Sequence, residues 1–574
     1  MIVVIVSWLY IAAVLLITGY AANFLLKHLL KGLPWLSVTG MIMLGMGALT
    51  VYVEIFSIFG RIYTAAHLLW LAAASLICFL GRKNAAELIR LRRPCREALR
   101  NSMDLLIIAG IVLVTAFYTS RGNFHTDTNI YHAANIRLYE DYGLIRGMAN
   151  LQLHYGYNSS SLAFASFFSM RWLLKTIALH TTTGFLMCLL TLDSWFHLKD
   201  IFRRGKHLAD AGYAAILIYV IVNITGAMSP ATDYVTMIFL LYLISVWLTN
   251  MAGEANAEQK TAVYGLIAVG TAFAVTLKLS ACGMIFLAVW PAFGLIRKKQ
   301  WKEVSKYFLL GCFCVLPWLV RNVLISGWLI YPFEGIDLFN VAWKVPAAYM
   351  KVDSDQIKVW GRCLYDVSKV DLPVTEWLPI WWEEQQRYAQ YLVTANVIAP
   401  ILIAANLAER KKRKQTIRAE LCVLYIGLLI SEGIWFFLAP FIRYGLFALL
   451  TLPLTAVCDR LELVLARETG GISGLLGLGI VAVTIVCFGP YIDHYITDDG
   501  VFAKQRVRDP YYVMQKDYEH FENVGIIQIG NYSFKVPNDK EINSYYNSPG
   551  TCYDFMLNRS TLAGDDIKDG FIPK

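Results

Sequence analysis

The sequence predicts an all-α polytopic membrane protein, with about fourteen transmembrane helices followed by a small α+β domain at the C-terminal end. Three observations carry that prediction. Hydrophobic residues make up 57% of the 574 residues and charged residues 16%, too little polar surface for a soluble protein of this size. Apolar runs of roughly 18 or more residues recur along the chain, long enough to cross a bilayer as helices. The basic residues gather in short clusters between those runs rather than over one face.

The first run, from Met1 to about Phe24, has no basic leader and no small-residue cleavage site, and reads as a retained span. Further spans are expected at roughly 34–58, 62–81, 102–119, 172–193, 210–228, 234–250, 262–281, 282–296, 307–325, 390–408, 419–440, 444–460 and 472–490. Basic clusters follow the third, fifth, ninth and eleventh: Arg82-Lys83 with Arg90 to Arg100, Arg203-Arg204-Gly205-Lys206, Arg297-Lys298-Lys299 and Arg410-Lys411-Lys412-Arg413-Lys414. Threaded alternately, all fall on one side, which the positive-inside rule makes cytoplasmic. The net charge of +9 is thereby read as topology, not as nucleic-acid binding.

That threading divides the chain into a transmembrane domain over 1–490 and an extracytoplasmic C-terminal domain over 491–574. Within the first, it leaves outer loops over about 121–161 and 327–387. In the tail, Val524-Gly-Ile-Ile-Gln-Ile, Gly530-Asn531 and Tyr532-Ser-Phe-Lys-Val536 read as a β-hairpin with a tight turn. Most of the 11 cysteines, including Cys78, Cys188, Cys312, Cys314 and Cys487, lie in spans as small hydrophobes. Cys363 and Cys552 are the clearly outer ones and are either free or paired. The chain has no Walker A loop, dinucleotide fingerprint or visible repeat, so ATP-driven transport finds no support in it.

The most informative stretch is Asn123-Phe124-His125-Thr126-Asp127-Thr128-Asn129-Ile130-Tyr131-His132, a polar run leaving the fourth span. Thr126 and Asp127 can cap a helix that starts near Thr128 and runs to about Tyr142. Ile130, Ala134 and Leu138 form an apolar stripe on it, with Asp127, Tyr131 and Asn135 on the neighbouring face. Such a helix is expected to lie along the outer interface. On spacing alone Asp127 is either a helix cap or a reactive carboxylate.

A carboxylate in an outer loop just after a span, followed by an interfacial helix, resembles the GT-C glycosyltransferases, which take sugars from polyprenyl-phosphate carriers. Asp127-Thr-Asn-Ile-Tyr131-His132, Glu140-Asp141-Tyr142-Gly143, Tyr155-Gly-Tyr-Asn158-Ser-Ser and the tail's Leu562-Ala-Gly-Asp-Asp-Ile-Lys-Asp-Gly570-Phe571 more closely resemble a bacterial group of multi-pass proteins associated with surface-polysaccharide synthesis. The carboxylate loop differs from many GT-C enzymes in following the fourth span rather than the first. The resemblance implies a GT-C-like fold in the bacterial inner membrane. It implies sugar transfer from a polyprenyl-phosphate-linked donor to a glycan or lipid acceptor on the outer face.

In that reading Asp127 is the candidate catalytic base. Tyr131, His132 and Asn158 are candidate substrate contacts. Phosphate needs cations, and ionisable residues within or at the ends of spans are functional candidates. Arg321 and Arg443 are expected near the outer ends of the tenth and twelfth spans and Lys278 near that of the eighth, so the three become candidate phosphate ligands. Asp233, opening the seventh span, reads as a helix cap. No cofactor is expected; a divalent metal stays an open alternative, since His125, Asp127, His132 and His154 match no specific ligand spacing. Glu54 and Asp104, within apolar runs, are assigned no role. In the second outer loop Trp343, Trp360, Trp377, Trp381 and Trp382 read either as an interface belt or as sugar-stacking rings. Two other functions fit the same setting: an oligosaccharide ligase or polymerase of surface polysaccharide, and a lipid-linked glycan transporter or flippase.

Overall fold

A computed structural model describes residues 1–82, 101–122, 125–175, 177, 179–199, 207–465, 510–520, 524–538, 545–551 and 555–574. Among them, nine helices are long and apolar enough to cross a membrane: α1 (Ile2–Leu29), α2 (Val38–Phe59), α4 (Ser102–Ser120), α9 (Thr232–Ala252), α10 (Ala257–Leu277), α11 (Leu279–Arg297), α12 (Trp301–Ser326), α15 (Arg387–Lys412) and α16 (Ala419–Leu438). The chain is therefore a multi-pass membrane protein. Between these lie shorter helices: α3 (Thr64–Leu80), α5 (Ala133–Asp141), α6 (Ser160–Phe168), α7 (Thr182–Leu198), α8 (Asp210–Val222), α13 (Ala347–Gly361) and α14 (Val374–Glu384). The long α17 (Ile442–Leu465) follows α16. It carries Arg443 in its first turn and Asp459, Arg460 and Glu462 toward its other end. The expected span over 472–490 and the basic residues at 83–100 and 203–206 lie outside the described residues.

Helices pack through small residues where backbones must come close. A Cβ placed on Gly19 would collide with the Met41 carbonyl, and one on Gly45 with the Leu15 carbonyl. This glycine contact sets α1 directly against α2, the device membrane helices use where lipid removes most of the hydrophobic drive for association.

The polar run after α4 forms one continuous helical stretch with α5. Its first part, Thr128–His132, is a π-turn. Contrary to the expected interfacial position, α5 is buried on both faces: Ala134, Asn135, Ile136, Leu138, Tyr139 and Glu140 are all buried. One reason is that α6 packs against it inside the bundle. The other is that the tail covers its remaining side, where the Tyr545 hydroxyl donates to Glu140 at 2.8 Å.

The tail contains the expected hairpin, β1 (Val524–Ile529) antiparallel to β2 (Tyr532–Pro537), with Ile529 opposite Tyr532. Gly530 supplies the positive φ of +57° that a two-residue turn requires. A second pair, β3 (Ser560–Leu562) with β4 (Phe571–Pro573), follows. This tail is fastened to the loop over 121–161. The Thr551 hydroxyl donates to Gln152 (2.6 Å), Ser560 to the Asn150 carbonyl (2.5 Å), and the Phe571 amide to the Arg146 carbonyl (2.9 Å). Cys552 lies outside the described residues, and Cys363 is a free thiol.

In the segment over 327–387, Trp377 and Trp381 are packed in the core, Trp381 donating to the Pro440 carbonyl at 3.0 Å. Trp343 donates to the Val323 carbonyl at 2.8 Å. Trp360 and Trp382 remain exposed.

Candidate functional site

Asp127 lies in the first turn of the helical stretch, and its side chain makes no capping hydrogen bond. It turns instead toward residues far away in sequence. Arg443, at the start of α17, points its guanidinium NH2 to the Asp127 carboxylate at 3.1 Å. The Nε of the same fork is 3.3 Å from Asp233, in the first turn of α9. Lys278, at the C-terminal end of α10, pairs closely with Asp233 and sits 3.5 Å above the Tyr444 ring. Two carboxylates and two cations thus alternate around one point where four chain segments meet. Asp127 is 27% exposed and Arg443 38%, whereas Asp233 is 5% exposed, so the first two form the accessible side of the cluster.

His125 completes it. Arg443 approaches its Nε2 at 3.0 Å, and a guanidinium can only donate. The other ring nitrogen, Nδ1, lies 3.7 Å from the Asp127 carboxylate. The Asp127 amide donates to Nδ1 at 3.2 Å, so both ring nitrogens of His125 face donors. Burial pushes the His125 pKa down, which keeps the ring neutral near pH 7.

The electrostatics follow from the layout. Burial pushes the Asp127 pKa up, but Arg443, His125, His132 and Lys278 together draw it down harder, to about 2. His132 is 1% exposed; burial outweighs the pull of Asp127 and lowers its pKa to about 3. Its Nδ1 lies 3.3 Å from the Thr128 hydroxyl, and its buried Nε2 has no hydrogen-bond partner among the described residues. The ring centroids of Tyr131 and His132 are 4.2 Å apart, and burial followed by Asp127 raises the Tyr131 phenol well above its ordinary value.

Of the residues singled out in the sequence, Asp127, Tyr131, His132, Lys278 and Arg443 are brought together. Arg321 and Asn158 are not. They meet each other in a separate buried network: Arg321 Nε donates to Asn158 Oδ1 at 3.1 Å, and another of its nitrogens reaches Ser57. Asn158 also donates to Asn322 at 2.8 Å. Arg321 is 0% exposed, with its guanidinium 4.8 Å from the Tyr139 ring, so it has no surface to offer a phosphate. Its place just before the end of α12 predicts an outer-facing cation, but Gly147 and Asn158 of the loop and Trp343 pack over that end.

Asp233 and His125 are the site residues that sequence reasoning underrated. Asp233 has the ordinary signature of a helix N-terminal carboxylate, and nothing local shows that two cations converge on it. His125, Asp127 and Asp233 each offer a ligand atom within 4.8 Å of the others, a donor set that divalent cations accept. Arg443 and Lys278 already neutralise both carboxylates, so a metal ion here would have to displace one of them.

A family model described as a domain of unknown function (DUF8201) matches residues 1–450, a span that includes every member of this cluster. No curated protein and no solved structure matches the chain.

Proposed function

The chain belongs to the DUF8201 family, and from that premise we propose that it is an integral membrane glycosyltransferase. It moves a sugar from a polyprenyl-phosphate carrier to a cell-envelope glycan or lipid, on the outer face of a bacterial inner membrane. In this reading the chain crosses the bilayer about fourteen times in a GT-C-like arrangement, and the cluster around Asp127 faces the outside. The observation that carries it is the half-open group of Asp127 and Arg443 backed by Lys278 and Asp233.

The chemistry balances with these groups. The acceptor hydroxyl attacks the anomeric carbon and gives its proton to Asp127. The bond from that carbon to the phosphate oxygen breaks, and polyprenyl phosphate leaves with the electron pair. Arg443, with Lys278 behind it, offsets the charge on the leaving phosphate. A carboxyl at about 2 is a weak base while Arg443 holds it. A bound phosphate competes for the same guanidinium fork, which loosens the Arg443–Asp127 pair and raises the basicity of Asp127 as the donor arrives.

The test is sugar transfer by purified protein with a panel of labelled polyprenyl-monophosphate sugars. A pyrophosphate-linked oligosaccharide in the same panel reports a ligase or polymerase instead. Asp127→Asn should lower turnover by roughly 10²–10⁴-fold, the usual worth of a general base. Undiminished transfer by that variant removes Asp127 from the reaction.

A further inference from the structure

The far end of α17 is also built around charge. Asp459 and Glu462 lie there, and Glu462 is roughly 28 Å along the helix from Arg443, at a rise of about 1.5 Å per residue. Side chains of α15 hold that end in place. The Asn396 amide donates to the Leu449 carbonyl at 2.8 Å, Asn406 to the Ala456 carbonyl at 2.9 Å, and Arg410 to the Asp459 carboxylate. Arg413 adds a bond to the Leu463 carbonyl at 2.7 Å. A pocket of about 340 Å³ opens between α17 and the link that joins α15 to α16. It is lined by Arg410, Gln415, Thr416, Arg418, Glu462 and Leu463.

Cations outnumber anions around this recess. Between 409 and 420 stand six Lys or Arg and two Glu. Lys411, Lys412 and Lys414 are exposed and make no ion pair among the described residues. Arg410 is buried and engaged by Asp459, so it forms a fixed positive wall. Arg418 is different. Its side chain is 37% exposed, and one nitrogen of its fork donates to Glu462 at 3.2 Å. The other Glu462 oxygen accepts from the Leu208 amide at 2.9 Å, so that carboxylate keeps a partner when Arg418 turns away. Gln415 and Thr416 bring an amide and a hydroxyl to the same opening. Membrane topology accounts for a run of lysines at a span end, but it requires no recess with oriented donors.

We propose that this recess binds the phosphate of an anionic phospholipid head group. Arg418 is the exchangeable ligand: a phosphate takes the place of Glu462 on its fork, which can pair with two phosphate oxygens at once. Gln415 and Thr416 donate to the remaining oxygens or meet head-group hydroxyls. Lys411, Lys412 and Lys414 add the longer-range attraction that an anionic membrane surface exerts on basic segments. The surroundings favour a lipid over a free phosphate as the source of that group. The helices α15 and α16 are both long and apolar enough to cross the bilayer, so the link between them lies at a membrane surface. Next to the lining residues in the chain, Ile417 and Val464 are exposed, as are Ile426 and Leu429 further along α16. Acyl chains can cover such side chains, whereas a soluble phosphate gains nothing from them. The site stands apart from the Asp127 cluster and does not depend on the transferase reading.

The test uses the full chain, delipidated in detergent, and native mass spectrometry with phosphatidylglycerol, cardiolipin and phosphatidylcholine as probes. The two anionic lipids should bind at least about 10-fold more tightly than phosphatidylcholine, and Arg418→Gln should remove most of that preference. Thr416→Val breaks no ion pair and should weaken phosphatidylglycerol binding about 5-fold, as for one lost hydrogen bond, so it still reports if Arg418→Gln fails to fold. Equal binding of anionic and zwitterionic lipid, or wild-type binding by both folded variants, overturns the site. The double variant Lys411→Gln, Lys414→Gln changes charges outside the lining. If it lowers binding as much as Arg418→Gln does, diffuse attraction holds the lipid and the recess does not. Inorganic phosphate and glycerol 3-phosphate form the soluble arm. Neither should displace phosphatidylglycerol at about 10-fold molar excess; displacement there would assign the recess to a soluble phosphate and overturn the lipid.

Discussion

At the residue scale, the pairing of Asp127 with Arg443 makes the clearest prediction. Arg443→Gln leaves Asp127 without its strongest countercharge while burial still opposes ionisation. Its carboxyl should climb from about 2 to above the ordinary value of 3.8, read by carbon NMR of labelled aspartate or by difference infrared spectroscopy. A carboxyl that stays at about 2 would show that the histidines and Lys278 hold it instead. Arg443→Lys keeps a charge but loses the fork that spans Asp127 and Asp233, and should raise the donor KM at least about 10-fold. His132 makes a prediction about pH. Its folded pKa, about 3, lies below the ordinary 6.5, so the folded ring stays neutral while the unfolded one takes up a proton. The associated stability is full above pH 6.5 and is lost as pH falls toward 3, amounting to about 2 kcal/mol by pH 5. His132→Gln should flatten the acid side of the melting-temperature profile; an unchanged slope would show that this ring is not the group responsible. Asp127 itself stood out in the sequence because a carboxylate leaving a span is unusual. Its role as a cap or as an ion-pair partner could not be read there, since both begin with the same helix-start pattern.

At the element scale, the π-turn at Thr128–His132 and its support by Gln152 decide how the helical stretch presents its side chains. π-turns disturb the regular backbone ladder and occur often at functional sites. Here the Ile130 carbonyl within the turn receives the Gln152 amide. Gln152→Leu removes that donor, the Thr551 acceptor and the His154 contact together. It should cost roughly 1–3 kcal/mol, seen as a lowered unfolding midpoint and as loss of Tyr131–His154 stacking. A variant as stable as wild type would mean that the turn stands without this bridge. The α1–α2 contact is equally specific. Gly45→Val drives a side chain into the Leu15 carbonyl and should separate the helices, visible as a shorter half-life in detergent. The position of α5 was legible only in part. Its apolar stripe of Ile130, Ala134 and Leu138 marks one buried face, but Glu140 on another is covered by Tyr545 of the tail, and no local periodicity encodes that.

At the scale of the whole molecule, the C-terminal tail closes over the loop that carries the site. Tyr545 reaches Glu140, Thr551 reaches Gln152, Ser560 reaches Asn150, and Phe571 pairs with Arg146. Even Met1 joins it, its amino group donating to the Tyr511 carbonyl at 2.7 Å. Deleting residues 514–574 should therefore leave the membrane helices folded but free the loop between about 143 and 158. Hydrogen exchange there should rise well before exchange in α9 and α10 changes. Unchanged protection of the loop would show that the tail only rests on it. What the sequence by itself determined is local: apolar runs long enough to span a membrane, a hairpin whose turn needs Gly530, and a polar segment leaving a span. Each depends on residues within a few turns of one another. Only the tertiary structure decided which charges meet. Arg443 lies 316 positions from Asp127 and pairs with it, while Arg321 turns inward to Asn158 and Ser57. Hydropathy places all three near span ends but carries no information on which ends are neighbours. A partly buried charge takes its partner from the helix that packs beside it, and that is a property of the assembled bundle.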